Sequence, residues 1–200
     1  MSELPLEMPT LPPSHGQVVL RPFTEADVPM LLDLSTDPYV PLIGTLPAHT
    51  DVPGAVAYIE RQRAKVRNGA GYSFCAALAS TGEAVGGAGL WLQQLEHGRA
   101  TAGYAIAPAY RGRGLATDAL RALTTFAWTV PGLHRVELYV EPWNVASCGV
   151  AGAAGFELEG LLRSHQEIGG SRVDMRLYAA VAPGDRPDLT PRRTPRGARR

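Results

Sequence analysis

Two cysteines in 200 residues, Cys75 and Cys148, are too few for a disulfide framework. The chain therefore reads as one of a reducing interior, with both thiols expected in the core. There is no surplus of charge either. Nineteen basic residues stand against 19 acidic ones, so no whole-protein field points to nucleic acid or to a membrane surface. No stretch approaches the roughly twenty apolar residues that cross a bilayer. The first seventeen residues lack both the basic start and the apolar run of a signal peptide. The expectation is a cytoplasmic protein. Lysine is nearly missing, since Lys65 is the single one. With abundant Ala, Gly and Pro, that bias reads as a GC-rich genome and not as an arginine-based function. What remains is a chain long enough for one domain with a real core.

Residues 1–17 read as a flexible leader, 18–181 as the folded domain and 182–200 as a disordered basic tail. From Pro183 onward the tail carries six Arg and two Asp. A solvated tail is the plain reading, and a weak RNA or ribosome contact is the alternative. Within the domain, Val18 to Phe23 reads as a strand. Thr24, with Asp27 three residues later, starts a helix over Thr24–Ser35. Pro38, Pro41 and Pro47 mark residues 36–50 as a loop. A second helix over Val52–Asn68 is expected to bury Val52, Val56, Ile59 and Val66. Three extended runs follow, Tyr72–Ala79, Ala84–Gln94 and Arg99–Ala107. The helix over Leu115–Thr129 puts Leu115, Ala119, Ala122, Leu123 and Phe126 on its buried face. His134–Glu141 alternates as a half-buried strand through Val136, Leu138 and Val140. A small-residue helix (Asn144–Ala154) precedes two final strands, Phe156–Glu167 and Arg172–Val181. There are no internal repeats, and the order gives an α+β layout around one central sheet.

The most informative run is Tyr110-Arg-Gly-Arg-Gly-Leu-Ala-Thr-Asp-Ala-Leu120. It joins a strand to an amphipathic helix through glycines that let the chain turn with no side chain in the way. The first helical turn adds unpaired N–H donors and the positive end of the dipole. Such a place holds a phosphate.

Arg111-Gly112-Arg113-Gly114-Leu115-Ala116 also resembles the (Gln/Arg)-x-x-Gly-x-(Gly/Ala) acyl-CoA loop of the GNAT N-acetyltransferase superfamily. Asn144-Val145-Ala146-Ser147 is similar to its Asn-x-x-Ser segment, Gly155-Phe156 to its Gly-Phe, and Glu159-Gly160 with Arg163 to its next strand. Leu20 to Asp27 and Asp174 to Tyr178 are similar too. The resemblance spans Val18 to Val181 and is strongest to the RimJ/RimL-like branch, the ribosomal-protein N-terminal acetyltransferases. It implies a single GNAT-type domain, with a mixed, mostly antiparallel sheet of about seven strands flanked by four helices. It implies acetyl-CoA as co-substrate, no metal, an amine acceptor (a protein N-terminus or a small molecule), and a monomer or homodimer.

The resemblance places the pyrophosphate on the amides of Arg111, Gly112, Arg113, Gly114, Leu115 and Ala116. It pairs the main chain of Tyr104, Ala105 and Ile106 with the pantetheine arm, as an added strand pairs. The arginine side chains are equally well solvated charges, and the side chains of 104–106 are plain core. Asn144 is both a helix N-cap and, by resemblance, a pantetheine ligand. Many GNAT enzymes place an acid Tyr seven residues after this Asn, where this chain has Ala151. In the RimJ/RimL-like branch the proposed acid is the Ser three residues on, here Ser147; the alternative is a hydroxyl bonded to the preceding turn. That branch often has Glu where this chain has Thr101, so no base is evident. An α-amine of pKa about 7.8 is about 15% neutral at pH 7, and a lysine about 0.04%. A site without a base therefore suits an α-amine. The competing readings are an antibiotic, polyamine or amino-acid acetyltransferase, and a weakly catalytic acyl-CoA-binding module. Acceptor contacts are expected from residues 36–50, the second helix and the Gln93–Gly98 turn, with Trp91 and Trp143 as wall candidates. A strand tryptophan such as Trp91 is ordinarily core.

Overall fold

The computed structural model describes residues 6–184. Its elements are β1 (Ser14–His15), β2 (Val18–Arg21), α1 (Val28–Leu34), α2 (Val40–Ile43), α3 (Val52–Arg67), β3 (Gly71–Leu78), β4 (Ala84–Trp91), β5 (Arg99–Ile106), α4 (Leu115–Ala127), β6 (Arg135–Val140), α5 (Val145–Ala153), β7 (Glu157–Ile168) and β8 (Ser171–Val181). One eight-stranded sheet runs β1-β2-β3-β4-β5-β6-β8-β7. Every neighbouring pair is antiparallel except β5 with β6. The expected α+β class and mixed, mostly antiparallel sheet hold.

Two elements exceed the expected seven strands and four helices. The leader contributes β1, and its Leu6 and Met8 pack on the core. Residues 6–17 are thus placed by apolar burial and strand pairing, in place of the expected flexible leader. The proline-rich loop contains α2, a single turn with Pro41 near its start, where a missing N–H costs no hydrogen bond. The expected tail lies almost wholly outside the described residues.

Helix α4 lies on β1, β2, β4 and β5. All five residues expected on its inner face are buried, joined by Leu120 and Ala127. Tyr72 and Phe74 meet Phe126 edge-on, at centroid distances of 4.7 and 5.3 Å. Helices α1 and α3 close a second apolar cluster that holds Phe23, Leu31, Ile59 and Cys75. Helix α3 buries Ile59 as expected and packs Val56 and Val66 half-buried on the core, but Val52 is 54% exposed. Ala55 and Gln62 are buried as well. Gln62 tolerates burial because Ser73 on β3 donates to its Oε1 at 2.9 Å. Cys75 is buried as expected, whereas Cys148 is only half-buried.

The start of α1 shows the expected capping box. Thr24 N donates to Asp27 Oδ2 at 2.8 Å, and the two Arg21 Nη atoms clamp the same carboxylate at 2.7 and 2.8 Å. Burial opposes the Asp27 charge, but Arg21 and the Thr24 amide outweigh it and hold its pKa below the ordinary value. A carboxyl lowered on folding stabilises the native state above its unfolded pKa of about 3.9 and loses that contribution as pH falls through the folded value. Asp27→Asn is therefore expected to cost about 1–3 kcal/mol at neutral pH. The gap to the parent should close below about pH 4. Urea titrations at pH 7 and pH 3 check this; an equal gap at both would exclude the ionic account.

Candidate active site

The glycine turn is built as an anion cradle. Gly112 and Gly114 have φ of +74° and +78°, with no atom within 4 Å of a Cβ added at either. A non-glycine residue would be strained at these angles. Among the described residues, no protein acceptor meets the backbone N–H groups of Gly112 to Thr117, which open α4. Arg111 serves differently. Its amide donates to Pro108 O at 3.3 Å and its Nε to Ile106 O at 3.0 Å. Its Nη2 pairs with Asp37 at 2.7 Å. Asp37 also accepts from the amides of Tyr39 and Val40, each at 2.8 Å, so Arg111 ties the 36–50 segment to the end of β5. Arg113 sits over the Tyr110 ring, 5.8 Å from its centre.

Next to the cradle the sheet opens. Strands β5 and β6 pair only from Arg99–Arg135 to Thr101–Glu137. Beyond that, β5 follows β4 to Ile106 and β6 follows β8 to Val140. The edge of β5 from Ala102 to Ile106, including Tyr104, Ala105 and Ile106, thus has no strand on its β6 side, although Arg111 Nε already takes the Ile106 carbonyl. A cavity of about 480 Å³ occupies the gap and continues beneath α1, α2 and α3.

At the mouth of the gap, the Tyr104 and Ser147 hydroxyls are hydrogen-bonded at 2.9 Å. Asn144 Oδ1 accepts from Ser147 N at 3.0 Å, capping α5 and fixing the serine. Burial pushes the Tyr104 hydroxyl above its ordinary pKa, and the Ser147 hydrogen bond only partly offsets this. Asn144, Ser147, Tyr104, Ala105 and Thr101 all line the cavity, but Ala151 does not. Ala151 is wholly buried in the larger apolar cluster, so the place of the missing tyrosine faces the core.

No Asp or Glu lines the cavity among the described residues. Two buried carboxylates, Glu137 and Glu141, stand beside the wall tyrosines Tyr139 and Tyr39. Tyr139 donates to Glu137 at 2.8 Å, and Arg135 donates to the same carboxylate at 2.8 Å. Burial opposes the Glu137 charge, but Arg135 and Tyr139 hold its pKa below the ordinary value. Burial and that same bond push Tyr139 up to about 12. Burial and the neighbouring Glu141, itself buried, raise the Tyr39 pKa. Tyr39 also meets Trp143 edge-on at 4.9 Å.

Residues 36–50 and α3, where acceptor contacts are expected, line the cavity through Tyr39, Thr45, Tyr58, Gln62 and Lys65. The Gln93–Gly98 turn does not reach the cavity. Trp91, a wall candidate although a strand tryptophan is ordinarily core, lines the cavity, because Gly89 and Gly103 leave its ring room to lie against the sheet. Tyr104, read as a core side chain, carries half of the hydroxyl pair. Its partner lies 43 residues away, and no local pattern joins the two.

The fold matches known proteins. Residues 17–157 match the Acetyltransferase (GNAT) domain family, and the chain belongs to that family. It is 28% identical over 165 residues to the uncharacterized N-acetyltransferase p20 of Bacillus licheniformis, covering 82% of this chain and 93% of that one. Among solved structures, Mycobacterium smegmatis RimJ in complex with CoA-disulfide superposes with a TM-score of 0.69 at 29% identity, covering 86% of this chain and 88% of that one. The microcin C7 self-immunity acetyltransferase MccE, in complex with acetyl-CoA and AMP, superposes with a TM-score of 0.70 at 19% identity, covering 83% and 93%. No helix of the described residues is long and apolar enough to cross a membrane.

A pyrophosphate is expected on the free amides. Gly114→Asp, which would put a carboxylate beside them, is expected to weaken acetyl-CoA binding by 100-fold or more, on the order of 3 kcal/mol. Calorimetry checks this, with a melting curve to confirm the fold; unchanged affinity would rule the placement out.

Proposed function

We propose that this acetyltransferase moves the acetyl group of acetyl-CoA to the α-amine of a protein or peptide, with the reaction centred on Tyr104 and Ser147. One observation carries the acceptor class: no carboxylate lines the cavity among the described residues. A lysine side chain, about 0.04% neutral at pH 7, needs a base worth about 3.5 kcal/mol more than an α-amine does. A polyamine would bring several charges to a wall with no counter-ion, and burying an unpaired charge is costly. An α-amine, about 15% neutral at pH 7, needs far less help to lose its proton.

In this reading the amides of Gly112 to Ala116 hold the pyrophosphate. The open edge of Tyr104, Ala105 and Ile106 takes the pantetheine amides, and Asn144 stands where that arm passes. Arg111 acts through position, since its side chain and amide are already bonded. The co-substrate supplies an activated acetyl group on a thioester, which the amine attacks directly. Ser147 gives its proton to the departing sulfur as the C–S bond breaks, and Tyr104 resupplies it through the 2.9 Å bond. Tyr104 is suited to this because it stays protonated at neutral pH. The amine's lost proton leaves to solvent, and Tyr104 takes one back from solvent, which restores the hydroxyl pair.

Thiol release from acetyl-CoA separates the acceptors. A peptide with a free α-amine is expected to react at least 100-fold faster than its α-blocked, lysine-bearing counterpart, in line with the neutral fractions. A preference for lysine would refute this reading.

The hydroxyl pair has its own test. Ser147→Ala is expected to lower kcat by about 100-fold or more with acetyl-CoA affinity unchanged. Tyr104→Phe should lower it less, and the double variant should be no slower than Ser147→Ala, because the two share one proton path. Full activity in Ser147→Ala would eliminate the relay.

A further inference from the structure

The chain's single lysine lies on the wall of this cavity. Lys65 belongs to the last turns of α3, on the face that presents Tyr58 and Gln62 to the same space. Its Nζ stands 5.1 Å from the centre of the Trp91 ring. No carboxylate among the described residues pairs with it. The polar groups beside it are committed to one another: Ser73 donates to Gln62 Oε1 at 2.9 Å, and Gln62 Nε2 donates to Thr45 Oγ1 at 3.3 Å. Lys65 is thus the one charged side chain on the wall. It is half-buried, and burial lowers its pKa.

Trp91 connects this charge to the reaction centre. A Cβ on Gly103 would stand 2.8 Å from the Trp91 ring, so the ring covers β5 on the sheet face opposite the Tyr104 side chain, since neighbouring strand residues point to opposite faces. The β5–β6 gap joins the two faces. An acceptor whose amine reaches the Tyr104–Ser147 pair through that gap from the α3 side lays its body along Trp91 and turns its far end toward Lys65. The tryptophan face lends the ammonium some stabilisation, but its hydrogen-bonding capacity is unspent. A single ammonium with no arginine on the wall suits a monoanion better than a phosphate, which arginine forks recognise.

We propose that Lys65 and Trp91 form an acceptor subsite for a carboxylate, so that the amine to be acetylated sits on an apolar or aromatic body bearing an acidic group. The inference rests on the transferase reading above. The acid is either an acidic side chain near a peptide N-terminus or the terminal carboxylate of a small amino compound, and the two are told apart by matched acceptors.

The test compares two acceptor pairs. One is a peptide with Glu, then Gln, at its second and third positions; the other is an aromatic dipeptide as free acid, then as amide. The wild type is expected to favour the acid member of one pair by about 10- to 100-fold in kcat/KM, the difference residing in KM. Whichever pair shows it names the source. Lys65→Met should erase the preference while leaving the rate on the neutral member unchanged, and Lys65→Arg should restore most of it. Equal turnover of both members of both pairs by the wild type would overturn the subsite. So would a Lys65→Met variant that melts normally but loses rate on acid and neutral members alike.

Calorimetry with the Nα-acetylated, unreactive forms of the same ligands, on protein saturated with CoA, keeps the two proposals apart. Acid-selective binding that Lys65→Met removes, with no turnover of any amine, would sink the α-amine reading and leave the subsite standing. Absence of that selectivity would overturn the subsite even in an active enzyme.

Discussion

The parting of β5 from β6 is the constraint on which the rest of this structure depends. Their parallel pairing lasts for three residue pairs, ending at Thr101 and Glu137. After that each strand keeps one partner, β4 for β5 and β8 for β6. Backbone N–H and C=O groups on the two inner edges then lack the ladder that a closed sheet supplies, and such groups demand a partner. An extended ligand that carries its own amides meets that demand as an added strand. The wedge also gives α5 a place to enter. Asn144 caps the helix at the mouth of the gap, and the cap sets Ser147 against Tyr104 on the opposite strand. Had the two strands paired along their full length, neither the cavity nor the hydroxyl pair would exist.

The base of the wedge is held by charge. Arg135 bridges Glu137 on its own strand and Glu159 on β7, with Nε–O and Nη1–O distances of 2.8 Å each. Tyr139 caps the second oxygen of Glu137 and stacks on His165 at 5.0 Å. These contacts bind β6 toward β7 and β8 and away from β5. At the opposite end, the Arg111 fork joins Asp37 to the last carbonyl of β5. The segment that covers the acceptor cavity is thereby fastened to the turn that precedes the anion cradle. Acceptor and donor ends of the site share one guanidinium, so displacement of one is felt at the other.

What was legible in the sequence is what local chemistry decides. The inner stripe of α4, the Thr24–Asp27 box and the glycine turn each complete their signal within about a dozen residues, and each stands where the pattern placed it. The element order carried the sheet, apart from β1 and the one turn of α2. The reading weakened wherever the partner is distant. Tyr104 meets Ser147 across 43 residues, and Arg111 reaches Asp37 from the other side of the domain. Nothing in a strand tyrosine or a loop arginine announces such a partner. Helix α3 shows the same limit at one edge: Ile59 is buried as its pattern requires, but Gln62 is buried too while Val52 is exposed. Ser73 on a neighbouring strand permits this by satisfying Gln62. Trp91 became a wall because glycines on β4 and β5 leave space above the sheet, a fact held by three positions at once.

The charges around the cavity also explain how a site with no evident base can work. Glu137 and Glu141 are both buried and neither lines the wall; the Tyr139 hydroxyl covers Glu137, and Glu141 lies near Tyr39. An ammonium in this space therefore finds no counter-ion, and desolvation drives the amine toward its neutral, nucleophilic form. Lys65 adds direction to that effect. An acceptor with its amine beside Lys65 would set two cations together in a partly dry space, whereas the opposite placement sets an acid on Lys65 and the amine beside Tyr104 and Ser147. A cavity lined by carboxylates would stabilise the ammonium and raise its pKa, and would then need a stronger base to undo that. Keeping acids off the wall and one cation at the far end favours both the protonation state and the orientation that transfer requires.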